Sequence, residues 1–108
     1  MKKIFMGLIG FGTVGSGVVR LLQDNGDLLR KRIGAEIVLK KIADVDTVRP
    51  RKVSVGRELL TADAGEILDD PQIAIVVELI GGYEPARSFI LRAMRNKKHV
   101  IELIRHCF

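Results

Sequence analysis

Gly10, Gly12 and Gly15 stand in the pattern G-x-G-x-x-G within "GLIGFGTVGSGVV", residues Gly7 to Val19. Glycine inside a strand or helix costs roughly 0.5–1 kcal/mol relative to alanine, so five of them in one short stretch need a reason. The pattern draws its meaning from its place, since an apolar run precedes it and a helical stripe follows. In that setting the first glycine makes the tight turn out of the strand. The second leaves the backbone open to a phosphate, and the third lets the helix pack on the sheet. The helix start adds unpaired N–H groups and partial positive charge. The chemistry served is the binding of a dinucleotide through its pyrophosphate. Gly7 and Gly17 fall outside the pattern. Gly7 is expected to pack beneath a neighbour, and Gly17 to allow close helix–strand contact.

Such a turn is normally followed, about 20 residues on, by an acid at the end of the second strand that holds a ribose hydroxyl. Asp44 lies 29 residues after Gly15, and a longer first helix through "DNGDLLRKRIG" supplies the difference. Asp44 and Asp46 both stand at the right place, and the sequence does not choose between them. Arg49, Arg51, Lys52 and Arg57 follow, each able to pair with a phosphate. His99 and His106 have no nucleophile or metal partner in sequence. Two histidines and Cys107 near one terminus do not make a zinc site. No catalytic residue and no metal site are assigned.

The elements that must position these residues read as follows. "KIFMGLIG" is a buried strand. Val14, Val18, Leu21 and Leu22 mark one helix face, extendable through Leu28, Leu29 and Ile33, with a bend or restart at Asn25-Gly26 and a stop at Gly34. "EIVLKKIA" is a second strand. "DVDTVRPRKVSVG" is a loop with room for a short strand at Lys52 to Val55. "DAGEILDDP" forms a short helix ending before Pro71. "IAIVVELI" reads as a strand covered on both faces and ends at Gly81-Gly82. Pro85 fits the first position of the next helix, with Ala86, Phe89, Ile90 and Ala93 as its buried stripe. "KKHVIELI" is the last strand. The alternation predicts an α/β fold of the Rossmann type: a doubly wound, mostly parallel sheet with helices on both faces.

Composition sets outer limits. The chain has 108 residues, enough for one domain with a core. No apolar run reaches the roughly 18 residues of a membrane span. The opening "MKKIFMGLIGFG" is broken by glycines and has no cleavage site after it, so mature protein is expected. The net charge of +5 comes from scattered basic residues without the interleaved aromatics of a single-strand binder. Neither nucleic acid nor membrane is expected as a partner. A single cysteine fits a reducing, cytoplasmic setting.

"GLIGFGTVGSGVVRLL", "VVELIGGYEPAR" and "NKKHVI" together resemble the N-terminal nucleotide-binding domain of homoserine dehydrogenase, over roughly residues 3 to 101. Those enzymes interconvert aspartate semialdehyde and homoserine with NAD or NADP, on the route to threonine and methionine. The resemblance implies that Phe11, Thr13 and Val14 contact the cofactor beside Gly10, Gly12 and Gly15. It also implies that Gly81 and Gly82 lie at the nicotinamide end. Relatives adapted to NADP often carry Arg or Lys just after the second strand. Val45 stands there and cannot pair with phosphate, while Arg57 matches a second basic position. The expectation is NAD, or either cofactor with little discrimination.

The resemblance stops after "KKHVI". The family continues there with a Thr-Ala-Asn-Lys segment, whereas this chain reads "ELIRHCF". Arg105 falls at the lysine's offset without matching neighbours, and the role is not carried over. The expected division is a dinucleotide-binding domain over 1–101 and a non-matching tail over 102–108, read as a truncation. Such a chain is expected to be inactive alone and to self-associate through the strand at Lys98 to Ile104 or through Cys107. The rival readings are a stand-alone NAD(P)-sensing regulatory module and another oxidoreductase with the same first domain, such as a semialdehyde dehydrogenase or a dihydrodipicolinate reductase.

Overall fold

The computed structural model describes residues 2–48, 53–80 and 84–102. Strand β1 (Lys3–Ile9) passes through the glycine turn into helix α1 (Thr13–Asp24), followed by α2 (Gly26–Ile33) and β2 (Glu36–Ala43). Further along stand a single 3-10 turn (Arg57–Leu59), β3 (Leu60–Thr61) and α3 (Gly65–Leu68). Then come β4 (Ile73–Glu78), α4 (Ala86–Arg95) and β5 (His99–Glu102). The paired strands are all parallel, in the order β3-β2-β1-β4-β5. The chain winds outward from β1 to β3, then returns to β1's other side for β4 and β5. This is the doubly wound sheet expected from the alternation.

Side chains alternate across a strand, and β1 uses both faces. Met6 and Leu8 join Val19 of α1, Ile42 and Val77 in one core. Ile9 joins Ala43, Val76, Ile67 of α3 and Ala93 of α4 in the other. Gly7 is needed between them, because a Cβ there would come 2.3 Å from Ile67 Cγ2. Its expected place beneath a neighbour is found, and the β1–β2 register shifts beside it.

Gly17 is a correction. A Cβ there would meet no atom of the described residues within 4 Å. The buried face of α1 holds Gly15, Ser16 and Val19. At about 100° per residue, position 17 turns away from that face. The stripe beyond Leu22 is also corrected. The helix ends at Asn25 and restarts, and α2 has no buried residue, with Leu28 and Ile33 about half exposed. The break redirects the chain, so the apolar residues of α2 do not continue the core face of α1. Leu21 is exposed as well. Gly34 does end α2, in the left-handed region at φ 76°.

The short strand expected at Lys52 to Val55 is instead Leu60–Thr61, paired with Ile42 and Ala43. Val53 and Val55 pack on the α1-side core, and Lys52 lies outside the described residues. Pro85 is the N-cap of α4 rather than its first residue, and Phe89 N donates to its carbonyl. Strand β5 starts one residue after Lys98, because Lys97 has φ 61° and Lys98 turns its side chain beneath the sheet. The calls on Arg49, Arg51, Lys52, Gly81, Gly82, Arg105, His106 and Cys107 fall outside the described residues.

Candidate functional site

The site is built where β1 ends. Ile9 pairs with Ala43 of β2 on one side and Glu78 of β4 on the other. Gly10 continues the ladder by donating its N–H to the Ala43 carbonyl at 2.8 Å, then turns the chain at φ 105°. An L side chain rarely takes that conformation. Gly15 sits directly above, and a Cβ on it would come 2.2 Å from the Gly10 oxygen. The third glycine therefore sets how closely α1 approaches the strand. Gly12 differs from both: a Cβ on it would meet no atom of the described residues within 4 Å.

Helix α1 begins at Thr13, with Gly12 as N-cap. Its first internal bond runs from Ser16 N to Gly12 O at 2.9 Å. Among the described residues no side chain caps it, and its first turn holds no acid. The first-turn amides of a helix have no partner within the helix, and with the partial positive charge of the helix start they suit an anion. Thr13 is exposed and Val14 half-buried. The Phe11 ring is buried, 1% exposed, in the α1-side core.

Two carboxylates flank the turn. Asp44 follows β2, and its N–H is held by the Thr61 carbonyl of β3 at 3.0 Å. Its carboxylate accepts from Phe11 N at 2.7 Å and Asp46 N at 2.9 Å. Asp44 thus ties the end of β2 to the glycine turn. Asp46 accepts from Val48 N at 3.0 Å. Glu78 ends β4 and is 1% exposed. Its Oε1 accepts from Ile80 N at 2.7 Å.

Gly10, Gly12, Gly15, Asp44, Val45, Leu79 and Ile80 line one crevice of about 270 Å³ at the carboxyl ends of β1, β2 and β4. This is the point where strand order reverses, the general ligand position in open parallel sheets. The glycine turn and Asp44 are brought together here, as expected. Arg57 opens the 3-10 turn, is exposed, and is not among the described residues lining the crevice. The sequence reading passed over Glu78, Leu79 and Ile80. The available signal was Glu78, the one charged residue in "IAIVVELI". Two other hollows, of about 300 and 370 Å³, lie between α1, α2, β2 and the segment before β3. Neither contains the glycine turn or the end of a central strand. Among the described residues no three His, Cys, Asp or Glu are grouped to hold a metal ion, and no helix is long and apolar enough to cross a membrane.

Comparison with known proteins places this geometry. Residues 10–103 match the family model described as the NAD-binding domain of homoserine dehydrogenase. The homoserine dehydrogenase of Bacillus subtilis is 42% identical over 101 residues, covering 94% of this chain and 23% of the relative. That of Synechocystis is 48% identical over 96 residues, covering 89% and 22%. The crystal structure of Staphylococcus aureus homoserine dehydrogenase at pH 7.0 superposes with a TM-score of 0.90 at 38% identity, covering 99% of this chain and 27% of that one. The chain spans about a quarter of the length of the curated relatives it matches. A match over nearly all of a chain whose strand, turn and helix already form a dinucleotide crevice is specific, and the chain belongs to the NAD-binding domain family of homoserine dehydrogenase.

Proposed function

We propose that this chain is the cofactor-binding part, over residues 1–101, of an oxidoreductase that interconverts aspartate semialdehyde and homoserine with NAD(P)(H) in the cytoplasm. The observation that carries the reading is the contrast within the motif. Gly10 and Gly15 are required by the protein's own backbone, while no described residue lies within 4 Å of where a Cβ on Gly12 would stand. In this reading Gly12 and the α1 amides of Thr13, Val14 and Gly15 receive the pyrophosphate. Phe11 acts through its main chain and Gly10 through its turn. Asp44 reads the adenosine ribose, and Gly81 and Gly82 lie beside the nicotinamide. The test is calorimetric titration with NADH. Gly12→Val should lose at least tenfold in affinity while costing no more than about 1 kcal/mol of stability, because its branched side chain occupies the phosphate's place. Equal binding by parent and variant would remove the assignment.

Hydride transfer also needs a positioned substrate and a proton acceptor. The 108 residues alone are therefore expected to bind cofactor without turning over homoserine. Homoserine-dependent reduction of NAD by the purified chain would overturn that. For cofactor choice, Val45 is 96% exposed at the crevice wall and offers a 2′-phosphate nothing, which leaves Arg57 as the described basic candidate. A preference for NAD, or none, follows. NADP binding a hundredfold tighter in parallel titrations at matched salt would contradict it. Strand β5 ends the described sheet with Ile101 half exposed, which supports self-association. A monomer in light scattering at high concentration, under reducing conditions, would refute it.

A further inference from the structure

We propose that Glu78 is a positioning residue for the nicotinamide half of the dinucleotide, acting through the backbone of Leu79 and Ile80. The proposal rests on the dinucleotide-binding reading above. Glu78 is the charged residue of an otherwise apolar strand, and it is buried at 1% exposure. Its Oε1 accepts the N–H of Ile80 at 2.7 Å. Ile80 is the last described residue before Gly81 and Gly82. One residue earlier, Leu79 N donates to the Ile9 carbonyl at 2.8 Å. Leu79 and Ile80 are thus pinned from two sides, by the strand that carries the glycine turn and by Glu78. Both line the crevice. The lip lies against the turn itself: a Cβ on Gly10 would come 3.3 Å from Ile80 N.

The topology says which half of the ligand this lip meets. The adenosine ribose belongs at the end of β2, where an acid such as Asp44 stands. Strand β1 carries the pyrophosphate turn. Strand β4 lies on the opposite side of β1 from β2, so the half of the dinucleotide beyond the pyrophosphate crosses β4. Asp44 and Glu78 then do matching work, each accepting a main-chain N–H at the end of a strand that flanks β1. The one at β2 fixes the turn, and the one at β4 fixes the lip.

The test separates reach from charge. Glu78→Asp keeps the carboxylate but withdraws it by one methylene from Ile80 N. Glu78→Gln keeps the reach and an acceptor oxygen but removes the charge. Each variant of the 108-residue chain is titrated with NADH and with ADP-ribose, which lacks the nicotinamide, and NADH fluorescence is followed. Glu78→Asp should weaken NADH about tenfold and ADP-ribose less than twofold. Glu78→Gln should bind both within threefold of the parent. A merely structural role would weaken both ligands together. Equal loss of the two ligands in Glu78→Asp, or full retention of NADH by it, overturns the proposal. Loss of NADH by Glu78→Gln as large as that of Glu78→Asp also overturns it, because charge rather than reach would then matter. A parent chain that binds neither ligand refutes the dinucleotide reading itself.

Discussion

The two ends of the sheet are built from different materials. At the carboxyl ends of the strands the surface is glycine, main-chain N–H and short acids folded back on the backbone. At the amino ends it is long charged side chains bonded across elements. Lys98 is buried, and its ammonium donates to the carbonyls of Asp70 and Ile73, the latter at 2.7 Å. Burial holds that ammonium below the usual lysine range, while the nearby charges of Asp70 and Asp69 pull the other way. Lys40 donates to Asp70 and Gln72, both at 2.6 Å. Arg92 forms a forked pair with Asp69, and Asn96 donates to the Leu68 carbonyl at 2.6 Å. These bonds join α3, β2, β4, α4 and β5. Among the described residues, the carboxyl end carries the crevice, and the amino end is braced by side chains that bond one another and the backbone. Stability and binding should therefore respond to different residues.

The largest effect is expected where the carboxyl end is closed by backbone. Gly15→Ala drives a Cβ against the Gly10 oxygen, which cannot swing aside as a side chain would. The cost is about 3 kcal/mol or more, seen as a melting temperature lower by about 12 °C or more. A variant that melts with the parent would show that α1 can lift from β1. Next comes Lys98→Met at the braced end. It leaves two carbonyls without their charged donor and should cost about 2 kcal/mol, with NADH affinity unchanged in titration. Altered affinity would show that the two ends are coupled. Gly12→Ala adds a methyl group to space that no described residue fills, and its stability should change by less than about 1 kcal/mol. A large loss there would erase the distinction between Gly12 and Gly15.

The smallest effect concerns acid. The Arg92 hydrogen bond holds the Asp69 carboxyl below the usual carboxylate value of 3.8, and the Lys40 hydrogen bond does the same for Asp70. A depressed folded pKa stabilises the fold above the unfolded value, and that contribution is lost as pH falls through the lower folded one. Asp70→Asn should lower stability near neutral pH by at most about 1 kcal/mol, since both partners are partly solvated. The difference from the parent should vanish in denaturant titrations run well below pH 3.8. A gap that persists there would assign the effect to packing rather than to the ion pair.

The order of elements was legible because it is written in local periodicity. Apolar runs of strand length alternate with stripes of helical spacing, and glycines stand where strand meets helix. Strand β2 was readable to the residue, from its β-branched run between Gly34 and Asp44. The glycine turn was readable because a single conformation with φ above zero and a single close approach demand particular residues. What the sequence by itself determined, then, is the α/β order, the turn and the class of ligand that the turn accepts. What only the tertiary structure decided is who meets whom across the sheet. No spacing in the chain reveals that Ile67 lies on Gly7, that Asp44 accepts the Phe11 amide 33 residues away, or that α2 leaves the core after Asn25. The same holds for β3, whose two residues count as a strand because Ile42 and Ala43 lie beside them. Glu78 was visible as an anomaly in an apolar strand, but its use depends on where the Ile80 amide points. Local pattern constrains dihedral angles and faces, whereas partners distant in sequence are chosen by packing, and packing exists only once the strands have been brought side by side.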